Sequence, residues 1–202
     1  GLPVGAWSTG GSLNTGRVYI TGAGASNTAA LGFSGSPATA ITESYNGSAW
    51  TEVNDMNSAR AIVTGIGTQT SALGVGGIPP SALNESWNGS SWTEVADLNT
   101  ARYGSGGAGV DNTSALAFGG TAGAVTGVTE SWNGSSWTEL NDLNTARDFL
   151  GGAGTQTSAL GFGGESTPSF LTAAESWNGT SWTSVASLNT GRNGVFSAGA
   201  NN

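Results

Sequence analysis

The sequence predicts an all-β chain built from one repeated unit of four short strands. Three observations carry this expectation. A segment of the form Glu-Ser-aromatic-Asn-Gly returns at nearly constant spacing. Short apolar runs alternate with Gly-rich and polar turn signals. No stretch combines the apolar period of an amphipathic helix with helix caps.

The repeat begins most clearly at Glu43-Ser44-Tyr45-Asn46-Gly47 and recurs from Glu85, Glu130 and Glu175, with Glu-to-Glu steps of 42, 45 and 45 residues. Each copy closes with a Trp, at Trp50, Trp92, Trp137 and Trp182, and an Arg follows ten residues later, at Arg60, Arg102, Arg147 and Arg192. Trp7 and Arg17 keep the same spacing, so all five basic residues occupy one repeat position.

The unit that starts at Arg102 shows the strands in order. Residues 104–109 form a small-residue run, read as strand A. A polar turn at Asp111-Asn112-Thr113-Ser114 leads to strand B over 115–118, which Gly119-Gly120 stops. After a loop come strand C over 128–132, the turn Asn133-Gly134, and strand D over 135–140. Asn-Gly between strand-like flanks predicts a two-residue type I′ hairpin, because both residues tolerate positive φ. Such a loop at Asn88-Gly89 would pair Trp87 with Ser90 and Glu85 with Trp92. Glu85, Trp87 and Trp92 would then share one sheet face, with the adjacent Arg in reach. A sheet with large aromatics on one face and small residues on its inner strand must pack on another such sheet. Radial stacking achieves this and protects the strand edges.

The order strand, Gly-Gly, loop, Glu-x-aromatic, Trp, Leu-Asn-Thr-Ala-Arg is similar to the kelch repeat. The diglycine of that family resembles Gly76-Gly77, Gly119-Gly120 and Gly163-Gly164, and decays to Ser34-Gly35 in the first unit. Its paired aromatics look like Tyr45/Trp50, Trp87/Trp92, Trp132/Trp137 and Trp177/Trp182, more closely spaced than is usual for the family. The resemblance implies a kelch-like β-propeller that fills residues 1–202 as a single domain. Repeats start near 17, 60, 102 and 147, giving four full four-stranded blades. The ends, 1–16 with 192–202, supply a D strand and an A strand to an incomplete fifth seam blade. A shortened blade, strands from a neighbouring chain, and a longer array all remain open at that seam.

Composition narrows the function classes. A net charge of −8 and a pI near 4.1 predict no nucleic-acid partner and no docking on anionic membranes. No apolar run approaches the length of a membrane span, so no membrane insertion is expected. The chain has no His, Cys or Lys, which removes the usual general base, thiolate nucleophile, Schiff base and soft metal ligands. No cofactor, metal or catalytic residue is therefore expected.

The set Glu43, Arg60, Glu85, Trp87, Trp92, Arg102, Glu130, Trp132, Trp137, Arg147, Glu175, Trp177, Trp182 and Arg192 could stack and bond sugars. Its recurrence at one position of every unit favours a structural pin between blades, held by bidentate Arg–carboxylate bonds. Four Asn-Gly-Ser/Thr sequons are explained by the turn alone. Gly104-x-Gly106-x-x-Gly109 has no following helix and is no dinucleotide site. Asp111, Asp148 and Glu165 break the repeat and are the carboxylates to test for chemistry.

The B–C loops, 36–42, 78–84, 121–129 and 165–174, vary most between units. Variable loops on a rigid frame are where recognition usually sits. Ile78, Pro79, Pro80, Val125, Glu165, Pro168, Phe170 and Leu171 are the expected partner face. The resulting expectation is a non-catalytic structural or recognition module, extracellular or on a virion surface. Its partners would be proteins, either copies of itself or other particle proteins. The alternative is a carbohydrate-binding lectin-like propeller or a carboxylate glycosidase.

Overall fold

The computed structural model describes residues 10–195. They form four four-stranded antiparallel sheets, each wound up and down in chain order. The first contains β1 (Thr21–Ser26), β2 (Ala29–Phe33), β3 (Thr42–Tyr45) and β4 (Trp50–Val53). The second contains β5 (Thr64–Thr68), β6 (Ser71–Val75), β7 (Asn84–Trp87) and β8 (Trp92–Val95). The third contains β9 (Gly106–Asp111), β10 (Ser114–Phe118), β11 (Thr129–Trp132) and β12 (Trp137–Glu139). The fourth contains β13 (Gly151–Gly154), β14 (Ala159–Phe162), β17 (Ala174–Trp177) and β18 (Trp182–Ser184). Between β14 and β17 the long loop folds into a small hairpin, β15 (Glu165–Ser166) with β16 (Ser169–Phe170), which the sequence reading did not anticipate.

The C–D turn is longer than the two residues expected. Trp87 lies directly opposite Trp92, and Glu85 lies opposite Glu94. The connection is Asn88-Gly89-Ser90-Ser91, closed by Asn88 Oδ1, which accepts the N–H groups of Ser90 and Ser91 at 2.9 Å each. This side-chain closure replaces the type I′ backbone turn, and it brings the two indoles into cross-strand contact at 5.4 Å. Glu85, Trp87 and Trp92 still share a face, by a different register. The longer turn also delays strand D, so β12 begins at Trp137 rather than 135. Strand A begins at Gly106 rather than 104 because Gly104 takes φ +66°, which breaks an extended strand.

Consecutive sheets pack through their first strands: β1 lies against β5, β5 against β9, and β9 against β13. Glycine makes that approach possible. A Cβ on Gly152 would stand 2.5 Å from the carbonyl oxygen of Gly107 on the neighbouring strand. Farther out, the Trp face of one sheet covers the Leu/Phe face of the preceding one. Leu31 and Phe33 pack with Trp87 and Trp92, and Leu116 and Phe118 pack with Trp177 and Trp182. Phe33 and Trp92 have ring centroids 4.8 Å apart, and so do Phe118 and Trp182. The six Trp side chains of the second to fourth sheets are all buried.

Each connection from one sheet to the next crosses in the same way. The carbonyl of Arg102 accepts the N–H of Gly77, and the carbonyl of Arg147 accepts that of Gly120. Residues beyond the fourth sheet repeat the step: Gly164 N–H donates to Arg192 O at 2.8 Å, and Gly194 N–H to Phe149 O at 3.0 Å. The predicted D strand around Trp7 lies outside the described residues. The predicted A strand from Arg192 is described only to residue 195.

Candidate functional site

Each Glu of the repeat is the centre of a buried polar hub. Glu85 accepts the backbone N–H of Asn57 at 2.6 Å and its side-chain amide at 2.9 Å through Oε2. Its Oε1 receives Arg60 Nη2 at 2.8 Å and Ser58 N–H at 3.3 Å. Glu43 gathers Asn14, Thr15 and Arg17 in the same pattern. Glu130 and Glu175 do so with Asn99 and Thr100, and with Asn144 and Thr145. The residues gathered belong to the connection arriving from the preceding sheet, or to its counterpart ahead of the first sheet. The hub therefore fastens a crossing segment to the sheet it enters.

The Arg–Glu contacts are not bidentate, contrary to expectation. Nη1 of Arg102 lies 3.1 Å from Glu130 Oε1, and Nη1 of Arg147 lies 3.1 Å from Glu175 Oε1. The second carboxylate oxygen is already taken by Asn99 or Asn144, which leaves no room for a fork-to-fork pair. The guanidinium turns to main-chain carbonyls instead: Arg60 donates to Gly76 O and Leu83 O, and Arg102 to Ala117 O. Burial pulls the guanidinium pKa of Arg60, Arg102 and Arg147 below the ordinary value, opposed by the facing Glu85, Glu130 and Glu175. Burial also pushes Glu43 up, but hydrogen bonds from Asn14, Arg17 and Thr15 outweigh it and hold the carboxyl below its usual range. Arg192 differs from its counterparts. It is exposed, and among the described residues its side chain bonds only to the carbonyl of Thr190.

Sequence reasoning missed two parts of this arrangement. The Asn three residues before Arg17, Arg60, Arg102 and Arg147 makes two hydrogen bonds to the Glu where the Arg makes one contact, and its fixed spacing was the available signal. The second is an amide bridge from the A–B turn of one sheet to the preceding sheet. Gln69 Nε2 donates to Ser44 Oγ and Tyr45 O, Asn112 Nδ2 to Ser86 Oγ and Trp87 O, and Gln156 Nε2 to Ser131 Oγ and Trp132 O. A turn amide reads as loop chemistry in sequence, so its reach across sheets is visible only in three dimensions.

The B–C loops hold the expected partner residues in a less repetitive setting. Ile78, Pro79, Pro80, Pro168 and Phe170 are exposed, while Val125, Glu165 and Leu171 are half-buried. Of the three carboxylates that break the repeat, Asp111 stands apart, capping its own A–B turn through Thr113. Asp148 and Glu165 come together, joined by backbone hydrogen bonds of 3.0 and 2.9 Å. They line an open groove of ≈ 490 Å³ with Tyr103, Thr121, Val125 and Phe149. Among the described residues no group of three or more acidic side chains is arranged to hold a metal ion. No protein-family model and no curated protein matches the chain.

Proposed function

We propose that this chain is a kelch-like β-propeller working as a non-catalytic structural or recognition module. It would sit on the surface of a virus particle or a cell and hold protein partners, either copies of itself or other particle proteins, through its B–C loops. The ring reading is supported by the constant step between first strands and by the two ends. Asn14, Thr15 and Arg17 enter the first sheet as a preceding unit would, and Arg192 and Gly194 leave the fourth as a following unit would. Four blades and a fifth position shared by the ends account for both.

One observation carries the functional reading. Of the side chains that recur between units, Glu43, Glu85, Glu130 and Glu175, with Arg60, Arg102 and Arg147 and the six Trp of the second to fourth sheets, are buried within the chain itself. That leaves the unrepeated B–C loops as the surface with individual character. A photo-crosslinking residue at Phe170, 61% exposed, tests this on the native particle or cell surface, with a second at Ser135 on the C–D turn as reference. Protein adducts from position 170 and not from 135 are expected. Equal adducts from both would contradict the reading.

The glycan alternative has one feature in its favour, the rings of Tyr103 and Phe149 beside two carboxylates. Binding on a glycan array, with no adducts from position 170, would replace the protein-contact reading.

A further inference from the structure

The groove between the third and fourth sheets contains a group that the fold leaves incomplete. Asp148 is 5% exposed. Its Oδ2 accepts the Thr121 hydroxyl at 2.5 Å, but its buried Oδ1 has no hydrogen-bond partner. An unsatisfied buried carboxylate oxygen is costly, and a donor from outside would remove the cost. The guanidinium of neighbouring Arg147 pairs with Glu175 and the Gly161 carbonyl rather than with Asp148. Glu165 adds a second carboxylate, held by Asn193 at Oε2, and no basic residue lines the groove.

The wall beside these acids is aromatic. Tyr103 and Phe149 meet edge-on, centroids 6.1 Å apart and planes at 62°. Phe149 takes φ +48°, as Tyr19 at +53° and Ile62 at +55° do at the same position of the first two units, whereas Gly104 and Gly194 hold it in the adjoining ones. A bulky residue therefore stands where glycine would be unstrained.

We propose that this groove receives a single cationic side chain, Arg or Lys, presented by a protein partner. The charge would sit at Asp148 and Glu165 and the aliphatic stem against Phe149 and Tyr103. Two carboxylates without a countercharge favour a cation over a neutral saccharide, and aromatic faces add to the attraction for a guanidinium. The net charge of −8 draws a basic partner toward the surface. The inference rests on the reading of the B–C loops as a protein-contact face and names the chemistry of that contact.

The test is a backbone-amide NMR titration of the full chain with N-acetyl-argininamide. N-acetyl-glutaminamide and methyl glucoside serve as neutral controls. Argininamide is expected to shift Tyr103, Asp148, Phe149 and Glu165, the controls not. Asp148→Asn, which keeps an acceptor for Thr121, should weaken binding roughly tenfold. Phe149→Gly, which removes the aromatic wall, should also weaken binding. Absence of shifts would mean that water alone completes Asp148, and binding of undiminished affinity in Asp148→Asn would place the ligand elsewhere. Either overturns the proposal, as does a response to glucoside alone. Protein adducts at position 170 with no argininamide response would sink the cationic site and leave the contact face standing.

Discussion

Trp92 on the second sheet donates its indole N–H to Thr42 Oγ1 on the first, 3.0 Å away and fifty positions earlier in the chain. Trp182 does the same to Thr129 across the fourth and third sheets, again at 3.0 Å. At the junction between them the pair is Trp137 with Asn84. There Trp137 Nε1 and Asn84 Oδ1 are both buried without a partner.

Asn84→Thr should therefore stabilise the protein. It places at the middle junction the hydroxyl that the flanking junctions use, and a net hydrogen bond in a buried site contributes about 1 kcal/mol. Urea unfolding with an unchanged slope and a higher midpoint is the expected result. Thr42→Val should move the midpoint down.

Ser34→Gly should also stabilise. Ser34 is fully buried at φ +59°, and its hydroxyl has no partner. The other units hold Gly76, Gly119 and Gly163 at this position, at φ between +64° and +69°. Relief of the strain and of the orphaned hydroxyl together should outweigh the added freedom of the unfolded chain, by about 1 kcal/mol. A rise in melting temperature checks it.

Arg102→Ala should be severely destabilising, by about 3–5 kcal/mol, because it leaves Glu130 buried without its cation. Arg102→Lys should recover only part of the loss, since an ammonium cannot span both Glu130 and the Ala117 carbonyl in the same geometry. Denaturant titration of both variants orders them.

Acid should weaken the first sheet. Glu43 has a folded pKa below its ordinary value of 4.5, so the stability it contributes is fully present above that value. The contribution is lost as pH falls through the lower folded value. Glu43→Gln should thus be less stable than the parent at neutral pH, and the gap should narrow as the pH falls below 4.5 and through the lower folded value. Unfolding curves for both proteins across a series of acidic pH values measure it.

Much of the fold was legible in sequence because its signals are repeated: diglycine after strand B, Asn-Gly after strand C, and Arg at fixed distance from Trp. The Arg–Glu contact could be anticipated from residue type and burial. The turn register could not, because Asn88 closes its turn with a side-chain oxygen, a choice that leaves the same Asn-Gly signature as a tight hairpin. Gln69, Asn112 and Gln156 were opaque for another reason. Their partners lie one sheet away, and nothing local distinguishes a bridging amide from a solvated one. Asp148 and Glu165 were singled out only as breaks in the repeat, and their meeting in one groove depends on how β13 and β15 are brought together.

The ring itself has a direct test. Thr51, Thr93, Thr138 and Thr183 hold one equivalent, exposed position on the last strand of each sheet, and the chain has no Cys to interfere with spin labelling. Electron–electron distances between labelled Cys pairs at these sites should be equal for the pairs 51–138 and 51–183. In a five-position circle both pairs are two steps apart. A distance for 51–183 clearly longer than for 51–138 would mean that the sheets run on in an open stack, and would contradict the propeller.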